Sequence, residues 1–169
     1  MPTDTFPVTA NADDGYRRLL PPATKYFTNT LTITGAHSNY VYDSFFRFTG
    51  INIPRGATII SAKLLFVCET SYAGVVCNTR IQAEHADNPS AVSSYDDYTN
   101  RVKTTEYVDW DGIPVWTIGN PYESPDIANV ISDVIEEDWW DSGDALQIFW
   151  QNHGSTPVSL CLRHPASHE

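Results

Sequence analysis

The sequence has little cysteine, few basic residues and no long apolar run. Its 169 residues include only three cysteines, which excludes the disulfide-dense scaffolds of small secreted proteins. Ten Lys and Arg stand against 21 Asp and Glu, giving a net charge of −11. The scattered basic residues do not supply the clustered cations that a nucleic-acid backbone calls for. No apolar run approaches the roughly 20 residues of a membrane helix. We therefore expect neither nucleic-acid binding nor membrane insertion.

The first residues also lack the features of a secretory signal. Met1-Pro2-Thr3-Asp4 begins neither a basic segment nor an apolar one. We expect synthesis in the host cytoplasm and a final location in a virion, which reaches the outside after lysis. An extracellular location is the alternative.

The chain is rich in the residues that build sheets. Hydrophobic residues make up 41% and aromatic residues 12% of the sequence, and 169 residues suffice for one domain with one core. We predict an N-terminal arm over residues 1–12, a candidate subunit contact, and a single β-sandwich domain over residues 13–169.

Alternating apolar stretches between turn residues predict the strands, which are Thr28–Thr34, Tyr40–Phe48, Ala57–Glu69, Val75–Glu84, Val115–Ile118, Ala145–Gln151 and Val158–Leu162. Residues 86–114 are predicted to be a loop. Ser124-Pro125-Asp126 reads as a helix start with Ser124 as N-cap, and an apolar stripe follows it. The pattern predicts an all-β, jelly-roll-like antiparallel β-sandwich with one short α-helix, at about residues 124–137, on a connection.

Two of these strands have a predicted partner. We predict that Ala57–Glu69 and Val75–Glu84 form a hairpin across residues 71–74, because this pairing brings the apolar faces of the two strands to the same side. This register places Cys68 opposite Cys77 and allows a cross-strand disulfide. Two buried thiols are the alternative, because nothing in the sequence indicates an oxidising compartment.

Two segments resemble a known family. Residues 47–66 resemble the pattern R-F-x-x-I-x-I-P-x-G-A-x-I-x-S-A-x-L-x-F, and residues 124–127 with 140–146 resemble S-P-D-[IL] followed by W-x-S-G-[ND]-A-L. These patterns are typical of jelly-roll modules found in bacterial exoproteins and in structural proteins of tailed phages. The resemblance implies a β-sandwich, and it implies a closing strand beyond residues 163–169 that we expect to be absent or supplied by a neighbouring subunit.

The sequence carries no catalytic motif that we recognise. A nucleophile elbow, a P-loop, a dinucleotide-binding glycine pattern and a His-Glu-x-x-His motif are all missing, so we expect no enzyme. The candidate calcium ligands are Asp13, Asp14, Asp96 and Asp97. Carboxylate oxygens suit Ca²⁺, although these acids lack the spacing of an EF-hand, and solvated surface charges are the alternative. No other cofactor is expected.

Tyrosines in predicted loops are the candidates for ligand binding, because exposed aromatic rings stack on sugars and on partner proteins. They are Tyr95, Tyr98, Tyr107 and Tyr122.

Three functions are compatible with these features. The first is a non-catalytic structural protein of a phage virion, such as a capsid decoration, tail or fibre-associated subunit. Its partners would be other virion proteins or copies of itself, and it could also adhere to cell-surface glycans. The second is a calcium-assisted carbohydrate-binding module of an extracellular protein. The third is a polysaccharide hydrolase, which needs two facing carboxylates.

Overall fold

The computed structural model describes residues 3–20, 24–74, 77–155 and 160–168. Ten antiparallel strands in these residues form one curled sheet, which confirms the predicted all-β sandwich. The strands are β1 (Asp14–Leu20), β2 (Thr24–Thr28), β3 (Thr34–His37), β4 (Tyr40–Phe48), β5 (Leu65–Thr70), β6 (Cys77–Ala83), β7 (Val108–Ile113), β8 (Pro121–Glu123), β9 (Leu146–Asn152) and β10 (Cys161–Pro165). The helices are a 3-10 turn (Asn11–Asp13), α1 (Tyr95–Asn100) and α2 (Ala128–Ile135). Among the described residues, no helix is long and apolar enough to cross a membrane.

Strand β4 joins the two layers of the sandwich. One of its edges pairs with β1, and the other pairs first with β3 and then with β9. The first layer runs β2-β1-β4-β9-β6-β7, and the second runs β3-β10-β5-β8. The layers meet face to face, since the ring of Phe66 on β5 lies 4.9 Å from that of Trp150 on β9 and 5.4 Å from that of Phe46 on β4.

The main core lies between the layers and follows from strand alternation. Every second residue of β6 is buried, beginning with Cys77 and ending with Ala83. Phe66 and Cys68 alternate in the same way on β5. Helix α2 adds its apolar stripe to this core, where Val130, Ile131, Val134 and Ile135 are buried. The alternation therefore places the apolar faces of β5 and β6 as predicted.

The predicted hairpin is wrong, because its two strands do not pair, although the residues predicted to face the core on each strand are correct. β5 pairs with β8 and β10, whereas β6 pairs with β7 and β9. Matching apolar faces show only that two strands border the same core, and in a sandwich this also holds for strands in opposite layers. The start of the second predicted strand, residues 75–76, lies outside the described residues.

The other strand predictions have mixed outcomes. Tyr40–Phe48 is confirmed as β4, and Ala145–Gln151 is confirmed as β9 with a shift of one residue. Three predictions are wrong in extent or position. The strand predicted over Thr28–Thr34 begins only at Thr34, as β3, and the strand predicted over Ala57–Glu69 begins only at Leu65, as β5. The strand predicted over Val115–Ile118 lies instead at Pro121–Glu123, as β8. The last strand begins at Cys161, and residues 158–159 of the predicted strand lie outside the described residues.

Helix α2 begins later than predicted because Ser124 binds the segment that precedes β5 instead of capping the helix. Ser124 Oγ accepts a hydrogen bond from the backbone N–H of Leu64 at 2.9 Å. Asp126 Oδ1 accepts from Ala62 N at 3.0 Å and from Ala128 N at 2.9 Å. The polar start of the predicted helix thus ties the connection to the chain that precedes β5.

The predicted loop over residues 86–114 is wrong in two places, since it contains both α1 and β7. Helix α1 starts at an N-cap that the sequence does offer: Ser94 Oγ accepts from Asp97 N at 3.1 Å. The helix was missed because its six residues are too few to show an apolar stripe of helical period.

Both ends of the described chain pack into the domain. Phe6 and Val8, in the predicted N-terminal arm, contact the main core. Strand β10 lies between β3 and β5, so Arg163 and Pro165 belong to an interior strand rather than to a tail. Gly35 allows this pairing, because a Cβ there would lie 1.9 Å from the carbonyl oxygen of Cys161.

Candidate functional site

Four tyrosines surround Arg18 where β1, β2 and β4 pair. Arg18 lies opposite Tyr26 of β2 and Tyr42 of β4. Tyr16 lies two residues before Arg18 on β1, and Tyr40 lies two residues before Tyr42 on β4, so the strand period places all five side chains on one face. We call these five residues the Arg18 cluster.

The guanidinium of Arg18 lies among the aromatic rings of this cluster. Its central carbon lies 4.6 Å from the ring centre of Tyr40, 4.9 Å from that of Tyr26 and 6.0 Å from that of Tyr42. Tyr16 and Tyr42 are buried, whereas Tyr26 keeps 42% of its surface exposed. Burial raises the pKa of Tyr16 to about 12, so its hydroxyl stays protonated. The cluster thus combines two buried tyrosine rings with one exposed ring beside a cation.

The charge of Arg18 is not balanced by a carboxylate of the described chain. Seven of the ten basic side chains form ion pairs with Asp or Glu: Arg17, Lys25, Arg47, Arg55, Lys63, Arg80 and Arg101. Of the other three, Arg163 is buried and donates to backbone carbonyl oxygens, and Lys103 lies over the rings of Tyr98 and Phe149. Arg18 is therefore a partly buried cation without a carboxylate partner among the described residues.

A shallow depression adjoins the cluster at Tyr40. Its volume is about 320 Å³, and it is lined by Ala36, Ser38, Asn39, Tyr40, Val41, Asn152 and Ser155. Amide and hydroxyl groups beside an aromatic ring are the groups that orient small polar ligands in a mostly apolar site. The depression extends the surface on which a ligand of the Arg18 cluster could lie.

The tyrosines predicted to bind a ligand do not form this surface. Tyr98 is fully buried, with its ring 4.9 Å from that of Phe149 and 6.2 Å from that of Phe45. A loop position suggested exposure, but α1 lies on the outer face of the first layer and carries Tyr98 into a small core there. The prediction of Tyr98 as a surface ligand contact is wrong for this reason.

The other three predicted tyrosines lie in different surroundings. Tyr95 is partly buried beside Arg17, whose guanidinium carbon is 5.2 Å from its ring centre. Tyr122 stacks on Trp116 at 4.5 Å, and its hydroxyl accepts a hydrogen bond from the backbone at 2.7 Å. Tyr107 is 46% exposed.

The four predicted calcium ligands each face a donor of the chain. Asp13 lies 2.8 Å from Arg47 Nη1, Asp14 accepts from His168 N at 2.8 Å, Asp96 lies 2.5 Å from Lys25 Nζ, and Asp97 lies 3.0 Å from Arg101 Nη2. Hydrogen bonding from Arg101 lowers the pKa of Asp97. Within the described ranges, no group of three or more His, Cys, Asp or Glu side chains could hold a metal ion. The four acids therefore do not form one calcium site in this structure.

The predicted disulfide is absent, and its two cysteines are buried free thiols. Cys68 and Cys77 lie on strands that do not pair. Burial raises the pKa of Cys77 to about 11, so its thiol is protonated at neutral pH. The alternative of two buried thiols is the one that the structure shows.

A buried ion pair attaches α1 to the first layer. Asp43 Oδ2 accepts from Arg17 Nε at 3.0 Å and from Arg17 Nη2 at 2.9 Å, and Asp43 Oδ1 accepts from Asn152 N at 2.8 Å. Arg17 Nη1 also donates to Thr99 Oγ1 of α1 at 2.7 Å. Every oxygen and nitrogen named here has a partner within the fold, so this network supports structure rather than a ligand.

The Arg18 cluster was missed at the level of sequence, although a signal for it exists. Tyr16 and Arg18 are two residues apart, as are Tyr40 and Tyr42, and such spacing within strands places each pair on one face. What no spacing reveals is that β1 pairs with β4 and brings the two pairs together. No protein-family model matches this chain, and no curated protein matches it.

Proposed function

We propose that the protein is a non-catalytic structural component of a phage virion, such as a capsid decoration, tail or fibre-associated subunit, and that it adheres to glycans through the Arg18 cluster. The resemblance of residues 47–66 and 124–146 to modules of tailed-phage structural proteins supports the virion setting. The adhesion rests on one observation: Arg18 has no carboxylate partner among the described residues and lies between the rings of Tyr26 and Tyr40.

The cluster offers the two kinds of contact that a sugar needs. The exposed ring of Tyr26 presents an apolar surface on which the C–H face of a pyranose can stack. The guanidinium of Arg18 is fixed by the rings that flank it, so its N–H groups can donate to ring hydroxyls at a small entropic cost. The depression beside Tyr40 accommodates further sugar units.

The test is a glycan array followed by calorimetric titration of the glycans that bind. Tyr26→Ala and Arg18→Met should each weaken binding at least about tenfold, which corresponds to ~1.4 kcal/mol. Tyr107→Ala is the matched control, because Tyr107 is equally exposed and lies 3.7 Å from the guanidinium carbon of Arg80. Arg80 differs from Arg18 in being paired with Asp109.

Two results would contradict adhesion at this surface. One is an array without any bound glycan, and the other is an equal loss of affinity in Tyr26→Ala and Tyr107→Ala. Immunogold labelling of intact phage particles with an antiserum against the purified protein tests the virion setting separately. The virion setting would be refuted if phage particles whose genome encodes the protein remained unlabelled.

A calcium-assisted carbohydrate-binding module of an extracellular protein is the alternative. Repeating the titrations with added calcium and with a chelator distinguishes calcium-assisted binding from binding by the Arg18 cluster alone. We expect equal affinities, because neither Arg18 nor the tyrosine rings require a metal ion. A loss of binding in the chelator would favour the alternative.

A further inference from the structure

The outer face of the second layer carries an ordered strip of exposed side chains. Alternation along β5 and the residues before it turns Lys63, Leu65, Val67 and Glu69 outward, while the residues between them face the core. Leu65 is 65% exposed and Val67 is 50% exposed. Two adjacent aliphatic side chains are thus bordered by a cation at one end and an anion at the other.

The order of these four residues is complementary to itself. A two-fold axis that lies in the contact plane, parallel to the sheet and perpendicular to β5, and that passes between Leu65 and Val67 would place Lys63 of one copy against Glu69 of the other. The same axis places Leu65 against Val67 and repeats both contacts by symmetry. A strip that runs cation, apolar, apolar, anion therefore matches a second, antiparallel copy of itself in charge and in apolar character.

We propose that this strip is the interface through which two copies of the chain associate, face to face, in a symmetric dimer. The contact is independent of glycan binding at the Arg18 cluster, so either proposal can fail alone. It gives the structural role a defined partner, which is another copy of the same chain.

The neighbouring strand favours contact through the face over contact through the edge. β8 borders β5 with only three residues and begins at Pro121. Proline has no N–H to donate to a further strand, and short edge strands resist pairing with another chain. Within one copy, Lys63 forms an exposed ion pair with Glu123 at 2.7 Å, and His164 Nε2 lies 3.1 Å from Glu69 Oε2.

The apolar centre of the strip is small, so the dimer should be weak. Stable interfaces bury about 800 Å² per partner, far more than a leucine and a valine supply, and we expect dissociation constants in the micromolar range or weaker. In a virion, many such contacts would act together, and weak individual contacts then suffice.

The experiment is sedimentation equilibrium across a wide range of protein concentration, with a charge-swap series. Lys63→Glu should weaken the dimer about tenfold, because it creates two like-charge contacts per dimer. Glu69→Lys should do the same. The double variant Lys63→Glu/Glu69→Lys restores opposite charges across the axis and should return to within about threefold of the original affinity.

Leu65→Ser/Val67→Ser removes the apolar centre and should abolish the dimer. Circular dichroism checks that each variant is folded. If the serine variant does not fold, the charge-swap series alone tests whether the strip forms the dimer. A protein that is monomeric at every concentration would overturn the proposal. So would a double charge variant that is as weak as either single variant, whatever the result of the glycan titrations.

Discussion

Thr79 lies in the centre of the main core, where its hydroxyl connects three strands. The residue is fully buried on β6. Its Oγ1 accepts from Trp150 Nε1 of β9 at 2.8 Å and donates to the carbonyl oxygen of Trp110 of β7 at 3.1 Å. Thr79→Val keeps the shape of the side chain but leaves the Trp150 indole N–H buried without this acceptor. Such a loss costs about 1–3 kcal/mol.

The expected change is measurable by thermal and urea unfolding. For a domain of this size, a loss of ~2 kcal/mol lowers Tm by about 4–8 °C. The specific cause is isolated by repeating Thr79→Val in a Trp150→Phe background, where no indole N–H needs a partner. There the free-energy cost of Thr79→Val should fall by about 1 kcal/mol. Equal costs in the two backgrounds would refute the hydrogen bond as the source of the stability.

Three further outcomes follow from buried groups. Asp43→Asn leaves the Arg17 cation without its buried counter-charge and should cost about 3 kcal/mol in urea unfolding; a cost below about 1 kcal/mol would contradict a buried pair. Burial lowers the pKa of His164, so the unfolded chain takes up this proton first, and stability should fall as the pH drops below about 6.5. His164→Phe should flatten that slope. Cys68 and Cys77 should react with a thiol reagent in denaturant without any reductant and resist it in the native protein; a failure to react in denaturant would point to a disulfide.

The sequence predicted the faces of strands far better than their partners. The alternation that turns Phe66 and Ile81 inward is a local property, because successive side chains of any strand point to opposite sides. Which strand lies beside which is set by contacts distant along the chain, such as the pairing of β10 with both β3 and β5. No local pattern carries that information, and the predicted hairpin failed for this reason.

The same limit explains what could be predicted of the candidate site. The loop position of Tyr98 suggested exposure, but burial depends on what the loop covers, here Phe45 and Phe149 on the outer face of the first layer. The tyrosines that do surround a cation lie in strands and looked like ordinary sheet residues. Only the register that places Arg18 opposite Tyr42 reveals them as one surface.

The interior position of β10 has a consequence for how the chain folds during synthesis. The second layer needs Cys161–Pro165 to connect β3 with β5, so it cannot close until those residues have left the ribosome. Until then the nascent chain exposes two unpaired strand edges, which are templates for aggregation. A chaperone that holds the nascent protein until this late strand is released would therefore improve the yield of folded product, and a chain terminated before Cys161 would aggregate rather than accumulate as a smaller sandwich.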